Sequence, residues 1–134
     1  MGLILDTSVL IEAERKGRTI GEVLGRLSGR GLLAISAITL MELSHGIARA
    51  REEKVRAGRE RFLHAVQASF AVVPLDAELA VRAGLLNGEL SGLGFAIGLA
   101  DAIIGTTALI RNDGVATLNG RHFKVVPGLD VVEL

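Results

Sequence analysis

Three carboxylates stand out in this chain because each interrupts an apolar run. Asp6 follows Leu3-Ile4-Leu5 directly, Glu42 lies inside Ile38 to Leu43, and Asp101 is the sole charge between Glu89 and Arg111. A carboxylate among apolar side chains needs a charge partner, a metal or access to water. If the three converge they form a hard-oxygen site, which suits Mg²⁺ or, as a substitute, Mn²⁺. Zinc is disfavoured, since the chain has no cysteine and its histidines lack ligand-pair spacing. Magnesium keeps part of its water shell, which leaves room for a phosphate oxygen and a nucleophile.

Each acid also has a structural reading. Asp6 could cap a turn or a helix after its strand. Glu42 shares a helix face with Thr39, His45 and Gly46, which could be an exposed edge. Asp101 lies near the start of a helix, whose positive dipole end favours a carboxylate. His45 and His122 stay outside the candidate site, because lone histidines more often belong to a surface or to packing.

The elements that must position these acids alternate between short apolar runs and helical periodicity. Gly2 to Leu5 reads as a strand, followed by a helix through Val9, Leu10, Ile11 and Ala13 that Thr7 or Ser8 could cap. A second helix through Ile20, Val23, Leu24 and Leu27 ends near Gly29 to Gly31, and Leu32 to Ile35 forms the next strand. Ser36 caps a helix over Ala37 to Ala50, and Arg49 to Arg61, rich in both charge signs, reads as a protruding helical arm. Its basic residues Arg49, Arg51, Lys54, Arg56, Arg59 and Arg61 are interleaved with Glu52, Glu53 and Glu60, so a solvated face competes with an RNA-guiding role. Phe70 to Leu75 reads as a strand, and Asp76 caps a helix through Leu79 and Leu86 that glycines after Asn87 loosen. Leu99 to Arg111 is a helix stopped by Asn112-Asp113-Gly114, with strands at Val115 to Leu118 and around Val131 to Val132.

Strands alternating with helices imply right-handed crossovers, so the expected fold is a three-layer α/β/α sandwich with a mostly parallel central sheet, in one domain over residues 1–134. In such sheets ligands gather beyond the carboxyl ends of the strands, where Asp6 and Asn119 both fall.

Composition narrows the classes. Lysine plus arginine and aspartate plus glutamate are both 15, so any nucleic-acid site must be local rather than a global field. Aromatics make up 3%, which disfavours recognition by stacked bases. The absence of cysteine rules out disulfides and thiolate chemistry and is compatible with the cytoplasm, the default compartment. Leu90 to Ile110 is long enough to cross a bilayer, but an Asp at its centre would cost roughly 2.5 to 3.5 kcal/mol and Gly92, Gly94 and Gly98 break it. No membrane role is expected.

Four motifs in order, Leu3-Ile4-Leu5-Asp6-Thr7-Ser8, Glu42-Leu43-Ser44-His45-Gly46, Leu99-Ala100-Asp101-Ala102-Ile103-Ile104 and Thr117-Leu118-Asn119-Gly120-Arg121-His122-Phe123, span essentially the whole chain. Together they resemble a PIN domain of the VapC toxin class. The resemblance implies a PIN-like fold and a magnesium-dependent endoribonuclease. Asp6 and Asp101 would be the metal ligands, Glu42 would position the attacking water, and Ser8 and Thr117 would hydrogen-bond that water or a phosphate. Asn119 stands at the fourth catalytic position, often acidic in the family, and supplies no charge there. The resemblance further implies an RNA substrate, a cognate antitoxin covering the acidic groove, and a homodimer. Two other readings stay open: a metal-dependent phosphatase, from an aspartate after the first strand, and a PIN-like interaction module without activity, from Asn119.

Overall fold

The structure is a computed structural model and describes residues 1–134. Five parallel strands, β1 (Leu3–Leu5), β2 (Leu33–Ser36), β3 (Ala71–Val73), β4 (Gly114–Thr117) and β5 (Val131–Glu133), form one sheet in the order β3-β2-β1-β4-β5. Seven helices fill the connections: α1 (Thr7–Arg15), α2 (Ile20–Arg26), α3 (Ala37–Arg49), α4 (Glu53–Ser69), α5 (Ala77–Gly92), α6 (Leu99–Arg111) and α7 (Gly120–Phe123).

Strand alternation builds the layers. Leu3 and Leu5 pack with Val9 and Leu10 of α1, Val23 of α2 and Val66 of α4 on one face. Ile4 between them points the other way, onto Ile104 and Ala108 of α6 and Phe123 of α7. Both faces are covered, which is why the strands read as continuous apolar runs rather than alternating ones. Each fully buried Leu or Ile contributes about 1.5–3 kcal/mol relative to exposure.

The expected three-layer sandwich is the observed fold, and the sheet is wholly parallel. Ser36 caps α3 through Ile38 N–H at 3.1 Å, and Asp76 caps α5 through Leu79 N–H at 2.9 Å, as their positions predict. Asn112 ends α6 in the left-handed region, at φ 56°. Gly31 also needs positive φ, +83°, and a Cβ there would stand 2.3 Å from the Met1 carbonyl.

Several boundaries differ from the sequence reading. The charged arm is two helices rather than one: α3 ends at Arg49, and α4 runs from Glu53 to Ser69, largely exposed up to Arg61 and returning to the core at Phe62 and Val66. Arg59 pins it down, donating to the Gly46 carbonyl at 2.7 Å and pairing with Glu14 at 3.6 Å. α5 continues through Asn87 and Gly88 to Gly92, because its apolar side packs through Leu79, Ala83 and Leu90 and overrides glycine's weak helix propensity. The third strand is only Ala71–Val73, since Pro74 has no N–H for a ladder. The apolar stretch that could have spanned a bilayer is divided between two helices, and no helix is long and apolar enough to cross a membrane.

The order of the strands creates the site. Successive connections leave β1 toward β2 and β3 on one side, and β4 and β5 lie on the other. The carboxyl ends of β1 and β4 therefore flank the switch point where such sheets open a crevice.

Candidate active site

Asp6 leaves β1 at this switch point and is 5% exposed. It stands at the N-cap position of α1, yet its side chain makes no capping bond. Its Oδ2 instead accepts from Ser8 Oγ at 2.6 Å and from Thr117 Oγ1 at 2.8 Å. The helix-cap alternative for Asp6 therefore fails: both donors converge on one carboxylate oxygen, and Oδ1 is left without a protein donor. Backbone amides hold the two hydroxyls in turn, Leu118 N–H on Ser8 Oγ at 3.3 Å and Asn119 N–H on Thr117 Oγ1 at 2.9 Å.

The structure gives both Ser8 and Thr117 a protein partner in Asp6. Each hydroxyl has one proton, and in both that proton is engaged by Asp6. Both hydroxyls thereby hold the carboxylate in place and keep lone pairs that can accept from water. Thr7 and Ser8 likewise do not cap α1, because their hydroxyls serve acids instead.

Glu42 projects from the second turn of α3, the helix after β2. Its Oε1 accepts from Thr7 Oγ1 at 2.7 Å, and Thr7 is in turn 2.9 Å from Thr39 Oγ1. Burial pushes the Glu42 carboxyl above the usual range; the charges of Asp6 and Asp101 add to this, while the Thr7 hydrogen bond opposes it. Asp101 lies in the first turn of α6 and is raised chiefly by burial and then by Asp6, with His122 opposing. Asp6, Glu42 and Asp101, drawn from three separate elements, therefore sit close enough to feel one another's charge.

His122 is the residue that sequence reasoning set aside and the fold brings in. Its Nδ1 is 3.0 Å from Asp101 Oδ2, on α7, a four-residue helix the sequence pattern did not disclose. Its place in the motif three residues after Asn119 was the available signal. Asn119 itself, just before α7, is exposed and its side chain makes no capping bond, so it is His122 that touches Asp101. His45 is exposed on α3 and has no side-chain partner.

The donor set is all carboxylate oxygen, with oxygens free on Asp6 and Glu42, and mutual repulsion among three acids is what a divalent cation would relieve. No group of three or more histidine, aspartate or glutamate side chains stands close enough together to hold a metal ion, so the acids interact through their charges without forming a ready ligand set. Beside Glu42 a cavity of about 110 Å³ opens between α1, α3 and α4, walled by Ile11, Leu43, Phe62 and Leu63 with Arg15 and Arg59 at its rim.

The PIN domain family matches residues 3–129. The chain is 33% identical to the Ribonuclease VapC of Rickettsia bellii over 133 residues, 98% of this chain and 96% of that protein. It is 32% identical over 100 residues to the tRNA(fMet)-specific endonuclease VapC of Salmonella typhimurium, 74% and 73% of the two chains. Its fold is similar to a chain in the crystal structure of VapBC2 from Rickettsia felis bound to a DNA fragment from their promoter. That likeness has a TM-score of 0.85, 25% identity, and coverage of 100% of this chain and 99% of the other.

Proposed function

The chain belongs to the PIN domain family, and from that premise we propose that it is the ribonuclease toxin of a toxin–antitoxin pair, hydrolysing RNA phosphodiester bonds with Mg²⁺. One observation carries the chemical part of this reading: Asp6 at the end of β1, Glu42 of α3 and Asp101 of α6 lie within reach of one another's charge beyond the sheet's carboxyl edge, where burial first and then Asp6 raise the carboxyls of Glu42 and Asp101. Such shifts cluster where groups exchange protons or hold cations.

Asp6 and Asp101 would hold the ion, with Mn²⁺ as a workable substitute. When bound, a divalent ion supplies Lewis-acid stabilisation of charge on the phosphoryl oxygens and lowers the pKa of a coordinated water. The protein's own part follows from its contacts. Ser8 and Thr117 fix one oxygen of Asp6 and leave the other without a protein donor. Glu42 orients the attacking water and accepts its proton, and burial raises its carboxyl in the direction that makes it a stronger base. His122 restrains Asp101 from the far side. Asn119, exposed next to this edge, offers an amide to a substrate oxygen without adding charge.

The names of the relatives support an RNA substrate, with tRNA the first to try. The complexes among the structural neighbours support a cognate antitoxin, and the apolar groove beside Glu42 gives its tail a surface from which to cover the acids. The working assembly is a homodimer.

The deciding assay incubates purified, antitoxin-free protein with several RNA classes and with a phosphate monoester, each with magnesium and with a chelator. Cleavage of RNA that the chelator abolishes is the expected result. Hydrolysis of the monoester alone would favour a phosphatase, and inactivity on both an interaction module.

A further inference from the structure

Glu42 is held through two threonines in series, and we propose that Thr39 is a positioning residue that acts on Glu42 only through Thr7. The functional consequence rests on the nuclease reading above, whereas the linkage rests on geometry. Thr7 Oγ1 lies 2.7 Å from Glu42 Oε1 and 2.9 Å from Thr39 Oγ1. A hydroxyl has one proton to give, and an ionised carboxylate can only accept. The Thr7 proton therefore goes to Glu42, which leaves Thr39 as the donor to Thr7. The series has one direction: Thr39 to Thr7 to Glu42.

A threonine inside a helix ordinarily has another option, donating to the carbonyl four residues back. Thr107 on α6 does this, 2.7 Å from the Ile103 carbonyl. Thr39 is the third residue of α3 and has no helical carbonyl four residues behind it, and Thr7 is its side-chain partner. With Thr39 0% and Thr7 3% exposed, water does not compete for either hydroxyl. Thr39 lies three residues before Glu42 on α3, on the same face, and Thr7 follows Asp6 directly in the chain. The linkage thus ties the acid of α3 to the residue beside the acid of β1 and sets their relative placement. Asp6 is bracketed comparably by Ser8 and Thr117, so in both acids hydroxyls engage one oxygen and leave its twin open.

The experiment is a double-mutant cycle on the full chain, with Thr39→Val, Thr7→Val, their combination, and Thr39→Ser. Two readouts are taken: RNA cleavage with magnesium, and the ¹³C resonance of the Glu42 carboxyl, which reports its hydrogen bonding without substrate. Misplacing a reacting group costs up to about 100-fold, so Thr39→Val should lower kcat about tenfold with KM unchanged and Thr7→Val more. Thr39→Ser, which keeps the hydroxyl, should restore the rate. The decisive expectation is that Thr39→Val adds nothing, in kcat or in the Glu42 resonance, once Thr7 is Val. An equal loss in both backgrounds, or a Glu42 resonance unmoved by Thr39→Val, overturns the proposal. Should Thr39→Val not fold, Thr39→Ala makes the same comparison. If the wild-type protein cleaves no RNA, the nuclease reading falls, and the resonance alone still decides the linkage.

Discussion

Replacing Glu42 by Gln should make the protein more stable while removing its proposed activity. The Glu42 carboxyl is raised first by burial and then by the charges of Asp6 and Asp101. A carboxyl raised in the folded state keeps its proton to higher pH there than in the unfolded chain. Between the ordinary carboxylate range and the raised value the unfolded chain binds fewer protons, so stability falls as pH rises through that window. At neutral pH the folded state bears the whole penalty. Gln is nearly isosteric, keeps an oxygen to accept from Thr7, and carries no charge. Glu42 is only partly buried, so solvent screens the repulsion and the relief is discounted to about 1 kcal/mol. For a domain of this size that raises Tm by about 4 °C. Calorimetry in chelator at pH 7 measures the gain, and a repeat at about pH 3.5, below the ordinary carboxylate range, should show it vanish. Magnesium should then stabilise the wild type more than the variant, by mass action on the folded state. A variant that melts below the wild type at pH 7, or a gain that persists unchanged in acid, would refute the account of Glu42 as a strained member of an acidic cluster.

Asp6→Asn should reduce RNA cleavage by at least about 100-fold while far-ultraviolet circular dichroism stays native, since the side chain caps no helix and Asn can still accept from Ser8 and Thr117. Ser8→Ala removes one of the two bonds to Asp6 Oδ2 and leaves Leu118 N–H without its acceptor. Denaturant unfolding should show a loss of about 1–2 kcal/mol, accompanied by a lower kcat. Arg59→Ala should destabilise by about 1–2 kcal/mol through loss of the Gly46 and Glu14 contacts and leave the salt dependence of RNA binding unchanged. Arg51 and Lys54, which make no ion pair, are the informative pair for RNA guidance: their joint substitution by Ala should weaken RNA binding and flatten its salt dependence, measured by fluorescence anisotropy across a salt series.

What the sequence determined by itself is local. Apolar runs named the strands within a residue or two, and Ser36 and Asp76 announced their helices because a capping hydroxyl or carboxylate bonds only two or three positions ahead. The three acids were legible because each is out of place in an apolar run, and strand–helix alternation was enough for a parallel, doubly covered sheet. α7 was not legible, since four residues carry no period, and neither was the full length of α5, whose glycines are overridden by packing. The partners of the hydroxyls belong wholly to the tertiary structure. Thr117 reaches Asp6 across 111 positions because β4 pairs with β1, Thr7 reaches Glu42 across 35 because α1 and α3 start at neighbouring strand ends, and His122 reaches Asp101 across 21 because α7 follows β4 at the same edge. Propensity and spacing encode contacts within a turn or along one strand. Which distant donor satisfies a buried acid depends on strand order, and only the folded sheet decides that.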